Sequence, residues 1–366
     1  PWLLNTTGVE SSRDQRMPET DLDRSAVHVL DLFCGGGGLS EGFLQAGYDV
    51  VAGVDVEADF LATYEANHED ALAIQADLSA VDPESFFESH PIQRDEIDVV
   101  IGGPPCKGFS IAGHRDPDDE RNYLVGTFID FVEYVQPDAF VMENVPGIKS
   151  MEGGDTLRSI LEGFERAGFE KPAYETLNAA DYGVPQKRRR VIFQGRRDGS
   201  IPTYPERTHG PSKQATLTGR QLKPYVTVEE ALLQRGDADP IPELPNHETT
   251  DHSAEMIERI ADVDPGESLY ESYGDSWRRL PRSEPSITVK ENHNAPFIHP
   301  VEDRVGTVRE CAILQSFPDD YVFRGPKSTQ LKVVGNAVPP GLSNAIAEAL
   351  AGDLAEMERS PAASAE

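Results

Sequence analysis

The stretch Val27-His28-Val29-Leu30-Asp31-Leu32-Phe33-Cys34-Gly35-Gly36-Gly37-Gly38 decides the fold of this chain. Its first seven residues, apolar except for His28 and Asp31, read as a buried strand. The glycines that follow make a tight turn, and residues 39–45, closed by Gly47, read as a helix. Strand, glycine turn and helix together open a nucleotide-cofactor unit of a doubly wound α/β fold. No Lys-Ser or Lys-Thr pair follows the glycines, so this is not a P-loop.

The same pattern repeats outward from this stretch. Residues 49–54 form a second strand ending in Asp55, where such folds grip ribose hydroxyls. Residues 71–75 form a third strand leading to Asp77. Asp31, Asp55 and Asp77 at strand ends suit a cationic, hydroxyl-rich cofactor without phosphates, and S-adenosylmethionine fits better than a dinucleotide. A fourth strand, residues 97–101, leaves through Gly102-Gly103-Pro104-Pro105 and displays Cys106, followed by Lys107-Gly108-Phe109-Ser110. Glycines permit the sharp exit and prolines stiffen it. Strand ends are where α/β enzymes keep their chemistry, so Cys106 reads as a nucleophile rather than as a small buried hydrophobe. Residues 121–135 read as a helix. A fifth strand, residues 139–142, then delivers Glu143 ahead of Asn144-Val145-Pro146-Gly147. A strand at 191–193 brings Gln186-Lys187-Arg188-Arg189-Arg190 to the same edge.

Composition bounds the remaining choices. A chain of 366 residues holds one large domain and a second, smaller one. Three cysteines without metal-ligand spacing or even pairing indicate neither zinc nor disulfides. No apolar run approaches the roughly 20 residues of a membrane span, and the polar N-terminus carries no signal-peptide core. A cytoplasmic, nucleoid-associated protein is expected. The net charge of −31, spread along the chain, suggests a surface solvated for high salt, as in a halophilic prokaryote. Such a balance argues against nucleic acid, whose phosphates demand cations. Residues 186–223 are the exception, with ten basic residues opposed only by Asp198 and Glu206. This island, including Arg196, Arg197 and Arg207, reads as a polyanion footprint.

The expected domains are a disordered segment at 1–25, a cofactor-binding domain at 26–195 and 322–356, and a frayed tail at 357–366. Between the two cofactor-domain segments lies a mostly β or irregular domain at 196–321, whose periodicity is faint. Helices are expected at 307–317 and 342–350. His247 and His252 lack a third ligand, so no metal is expected.

Taken together, Asp31-Leu32-Phe33-Cys34 with the four glycines, Gly103-Pro104-Pro105-Cys106 with Phe109-Ser110, Glu143-Asn144-Val145 and Gln186-Lys187-Arg188-Arg189-Arg190 resemble the DNA (cytosine-5)-methyltransferases. Arg309-Glu310 with Leu314-Gln315-Ser316-Phe317-Pro318, and Gly335-Asn336-Ala337-Val338-Pro339, extend the likeness over residues 27–352. The resemblance implies a Rossmann-like methyltransferase domain that transfers a methyl group from S-adenosylmethionine to carbon 5 of a flipped cytosine in duplex DNA. Cys106 would add to carbon 6; a free thiol has a pKa of about 8.5, and Arg190 is the neighbouring cation implied to lower it. Glu143 would bind ring nitrogen 3 and the exocyclic amine, and Arg188 the base's oxygen. Phe33, Gly35, Gly37, Gly38, Asp55, Asp77, Pro104, Leu124, Asn336 and Ala337 would hold the cofactor. Asp55 stands where the family more often has glutamate, and Lys107 where many members have glutamine. Residues 111–122 would form a loop closing over DNA touched by Lys107, Ser110, Arg196, Arg197 and Arg207, with the 196–305 block reading bases. The implied partner is double-stranded DNA, bound as a monomer; a cognate restriction endonuclease acting separately and stand-alone methylation both stay open. An RNA methyltransferase of the same fold and an inactive DNA-binding relic are the competing readings.

Overall fold

The computed structural model describes residues 27–105, 123–211, 219, 221–236, 240–270, 277–291 and 296–359. Its centre is a seven-stranded sheet of β1 (His28–Leu32), β2 (Asp49–Asp55), β3 (Leu72–Gln75), β4 (Val99–Gly102), β5 (Ala139–Asn144), β6 (Ala173–Asn178) and β7 (Arg189–Arg196). The order is β3-β2-β1-β4-β5-β7-β6, and β7 alone runs against its neighbours. The strand order reverses between β1 and β4, which opens a crevice at their carboxyl ends.

Every residue of β4 and β5 is buried, as expected for strands covered on both faces. Alternate residues divide between two cores. Leu30, Leu32, Val100, Phe140 and Met142 meet Phe86 of α3 (Pro83–Ser89), Phe128 and Phe131 of α4 (Tyr123–Val135) and Phe164 of α5 (Asp155–Arg166). Phe140 and Phe164 stack with ring centroids 3.9 Å apart. On the other face Val29, Val99, Ile101 and Val141 meet α1 (Gly38–Gln45) and α9 (Pro340–Arg359) through Phe43, Leu342 and Ile346. Between β2 and β3 runs α2 (Ala58–Asn67).

Among the described residues the second region holds little regular structure: β8 (His209–Gly210), β9 (Lys223–Pro224), β10 (Arg278–Arg279), β11 (Phe297–Ile298) and α6 (Ala254–Ala261). Val228, Leu280, Val289 and Phe297 share a third core with α7 (Val308–Leu314) and α8 (Lys327–Asn336). Thr307 and Glu310 close a capping box on α7.

Three sequence boundaries shift. β7 continues to Arg196, so a division at 195/196 cuts a strand, and residues 203–204 stay bonded to Asp353 and Ile192. The helix expected at 307–317 is shorter, because Ser316 (φ 62°) turns the chain ahead of Pro318. The helix expected at 342–350 is longer and runs to Arg359, into the segment expected to fray. The segment expected to be disordered, 1–25, lies outside the described residues.

Candidate active site

At the end of β1 the chain turns through Phe33 (φ 60°), a left-handed conformation that costs a non-glycine residue about 1 kcal/mol. Two bonds hold this turn to the end of β2: Cys34 N–H to Val54 O at 3.0 Å and Gly35 N–H to Asp55 Oδ2 at 2.9 Å. The other Asp55 oxygen accepts Glu57 N–H at 2.9 Å. Burial pushes the Asp55 carboxyl up, and these backbone donors pull it back. A Cβ built on Gly35 would meet nothing within 4 Å, so this side of the turn faces open space. Beside it Val56 is 53% exposed, an aliphatic face next to a strand-end acid. Sequence reasoning passed over Val56; its position directly after Asp55 was the available signal. Asp77 lies beyond β3, whose Gln75 pairs with Asp55, and spends Oδ1 on Ser79 N–H and Oγ. Gly38 packs against the Ala337 methyl and Val338 carbonyl, which brings the residues after α8 to the turn. Leu124 sits half-buried in the first turn of α4. An open turn face, a strand-end carboxylate and an exposed aliphatic side chain fit a donor with a ribose and a flat base.

The neighbouring strand ends form the second half of the crevice. Glu143 Oε1 lies 2.5 Å from Arg190 Nε, with both side chains largely buried. Its Oε2 is 3.2 Å from where a Cβ on Gly103 would stand, so any side chain at 103 would crowd the carboxylate. Asn144 Nδ2 donates to Pro104 O at 3.2 Å, and Asn144 Oδ1 accepts Val145 N–H at 2.8 Å. The Gly103-Pro104-Pro105 exit is thereby fastened to β5 directly beside Glu143. Cys106, Lys107, Ser110 and the expected loop at 111–122 lie outside the described residues.

Residues 27–352 match the family model for C-5 cytosine-specific DNA methylases. The chain belongs to this family. It is 41% identical over 339 residues to the type II methyltransferase M1.HphI of Haemophilus parahaemolyticus, covering 89% of this chain and 87% of that one. It is 32% identical over 425 residues to the type II methyltransferase M.AgeI of Thalassovita gelatinovora, covering 88% and 99%. Among solved structures it matches a chain described as a DNA modification methyltransferase encoded within an E. coli prophage, with TM-score 0.73 and 28% identity over 90% of this chain and all of that one. The protein is a DNA cytosine-5 methyltransferase whose methyl donor is S-adenosylmethionine.

Within this methyltransferase, two groups of expected site residues need correction. Arg188 does not open to a base. It is buried, donating Nη1–H to Val289 O at 2.7 Å and Nη2–H to Gly335 O at 2.9 Å and Asn336 O at 3.4 Å. Both of its terminal nitrogens bond carbonyls, and the cation touching Glu143 is Arg190. Gln186 works beside it: its Oε1 accepts Val289 N–H at 2.9 Å and its Nε2 donates to Gln315 Oε1 at 2.9 Å and Leu314 O at 3.1 Å. Gln315 in turn donates to Val334 O at 2.6 Å. Buried polar groups bonded in this way hold segments from four parts of the chain in one geometry.

Arg196 and Arg197 are at the wrong end of the sheet for DNA approaching the crevice. Arg196 pairs in register with Ala139, the first residue of β5, whereas Glu143 pairs with Ile192. Its side chain, 4% exposed, is held by Asp198 at 2.8 Å and Asp353 at 3.1 Å. Arg197 donates to Gln136 O at that same far edge. Arg207 lies at the carboxyl end of β6, the outermost strand: it is 62% exposed, and its Nε stands 3.3 Å from Asp181 Oδ2 in the turn following that strand.

Proposed function

We propose that this enzyme flips a cytosine out of a specific duplex sequence and methylates it through a covalent Cys106 adduct at carbon 6. The observation that carries the proposal is the Glu143–Arg190 pair, set at 2.5 Å beside the Gly103-Pro104-Pro105 exit that leads directly into Cys106. A cytosine must leave the stack for its ring faces to become accessible, at a cost of a few kcal/mol offset by contacts in the crevice. Glu143 hydrogen-bonds nitrogen 3 and the exocyclic amine, and supplies the proton at nitrogen 3 that makes carbon 6 electrophilic. Arg190 orients that carboxyl. The Cys106 thiolate adds to carbon 6, and the electron pair moves to carbon 5, which becomes the nucleophile. Bound S-adenosylmethionine supplies the sulfonium-activated methyl group, which the crevice aligns with carbon 5. Carbon 5 takes the methyl group as its bond to sulfur breaks, the sulfur keeping the electron pair in S-adenosylhomocysteine. Loss of the carbon 5 proton to solvent, return of the nitrogen 3 proton to Glu143 and expulsion of the Cys106 thiolate then restore the neutral aromatic ring.

Phe33, Gly35, Gly37, Gly38, Asp55, Val56, Asp77, Pro104, Leu124, Asn336 and Ala337 surround the donor in this account, with Asp55 on the ribose hydroxyls and Asp77 on the adenine amine. Lys107, Ser110 and Arg207 are the DNA contacts retained, and residues 211–305 supply base readout. The likeness to type II methyltransferases supports a role in restriction-modification, with a cognate endonuclease acting separately on the same duplex. The charge of −31 supports work in concentrated salt, checked by a thermal midpoint that rises from dilute buffer to molar potassium chloride. A midpoint falling with salt would remove that reading.

Labelled S-adenosylmethionine tests the reaction itself. Label is expected in duplex DNA at cytosine carbon 5 and not in transfer RNA. Label confined to transfer RNA would replace the proposal with RNA methylation, and label in neither would leave a DNA-binding relic.

A further inference from the structure

Three of the four glycines in the donor turn are shaped from behind rather than by the donor. A Cβ on Gly36 would collide with Val333 of α8, and one on Gly38 with the Val338 carbonyl. A Cβ on Gly37, where φ is +88°, would run into the His68 ring and stand 2.8 Å from the Tyr321 hydroxyl. Only Gly35 looks into open space. Apart from His68, the back wall therefore comes from the far end of the chain, and one of its members makes a directed bond: Tyr321 donates its hydroxyl to the Gly36 carbonyl.

We infer that Tyr321 is a positioning residue for the methyl donor, its hydroxyl fixing the Gly36–Gly37 peptide so that Gly35 and Asp55 present the donor face of the turn. The inference rests on assigning the donor to this turn. Tyr321 is 3% exposed and its ring is held on all sides: His68 at 5.8 Å between centroids, Phe317 at 4.7 Å and Phe323 at 5.3 Å. The next residue is clamped to α2, with Val322 N–H donating to Asn67 Oδ1 at 2.7 Å and Asn67 Nδ2 donating to Val322 O at 2.9 Å. A ring so fixed aims its hydroxyl at one place. Burial pushes the phenol well above its ordinary pKa, so it stays a donor at every working pH. The peptide it grips joins Gly36 to the left-handed Gly37, one residue beyond the left-handed Gly35, whose N–H is the group that Asp55 holds. Rotation of that peptide would shift Gly35 away from Asp55 while leaving Glu143, two strands away, untouched.

The experiment titrates the full chain with S-adenosylhomocysteine by calorimetry, without DNA. Tyr321→Phe removes one oxygen and keeps the packing. Loss of a single buried hydrogen bond is expected to weaken binding about tenfold. The KM for S-adenosylmethionine is expected to rise similarly while kcat at saturation and affinity for duplex stay near the parent's, the pattern of lost ground-state binding. Phe323→Leu, which loosens the same ring cluster without touching the turn, is expected to lower the thermal midpoint and leave S-adenosylhomocysteine affinity intact. Unchanged affinity in Tyr321→Phe, or equal loss in Phe323→Leu, would overturn the inference. Absence of binding by the unaltered protein would instead overturn the donor assignment on which it rests.

Discussion

Glu143 stands where a buried strand gives way to a polar turn, and its environment is made by two neighbours with opposite demands. Arg190 holds one carboxylate oxygen, and Gly103 leaves room for the other. Glu143→Gln preserves the shape and removes the acid. Single-turnover methylation by this variant is expected to slow by about 10²–10⁴-fold, with S-adenosylhomocysteine binding unchanged, because the lost group acts on the base and not on the donor. Behind the donor turn, burial lowers His68 to about 4 from its ordinary 6.5. As pH falls below 6.5 the unfolded chain takes up that proton first, so stability present above pH 6.5 is lost progressively down to about pH 4. Asp31, pushed up to about 7 by burial, works in the opposite sense, binding its proton more tightly when folded and losing that stability as pH rises toward 7. Comparison of His68→Gln with the parent isolates the first effect. The difference in thermal midpoint, variant minus parent, is expected to move in the variant's favour from pH 7.5 to pH 5, and a flat difference would contradict a neutral buried His68.

β7 carries Arg190 at one end and Arg196 near the other, six residues or about 20 Å apart along an extended strand. That separation assigns the two arginines different work. Arg196→Gln strips Asp353 of its buried partner and is expected to cost about 3 kcal/mol in denaturant unfolding. Duplex affinity is expected to stay unchanged; weakened DNA binding in a variant of parental stability would return Arg196 to the interface. The sequence made the middle of β7 legible because Val191-Ile192-Phe193 is a buried apolar run. It hid the ends, because a buried arginine paired with an acid 157 positions away looks the same in sequence as an exposed one. Arg188 was misread for the same reason, since the carbonyls it serves belong to residues 289, 335 and 336. The donor turn and the Glu143 edge were legible because each is a local transition from apolar strand to glycine, proline or acid. The 196–305 block was not, because the strands β8 to β11 among its described residues are two residues long and no periodicity survives at that length.

Across the whole molecule, the basic island at 186–223 is dispersed by folding. Among its described residues Arg188 and Arg196 go inside, Lys187 pairs with Glu284, Arg190 with Glu143, and Arg207, exposed, with Asp181. What unites the molecule is the crevice where the sheet order reverses: the turn proposed to hold the donor lies at the ends of β1 and β2, and Glu143, proposed to bind the base, lies at the end of β5. Between them β4 leads to Cys106. The account is tested most directly by incubating the enzyme and S-adenosylmethionine with a duplex carrying 5-fluorocytosine at the target, where the carbon 5 proton needed for release is missing. A denaturation-resistant protein–DNA adduct is expected with the parent enzyme and not with Cys106→Ser; an equal adduct from Cys106→Ser, or none from a parent enzyme that methylates ordinary duplex, would contradict it.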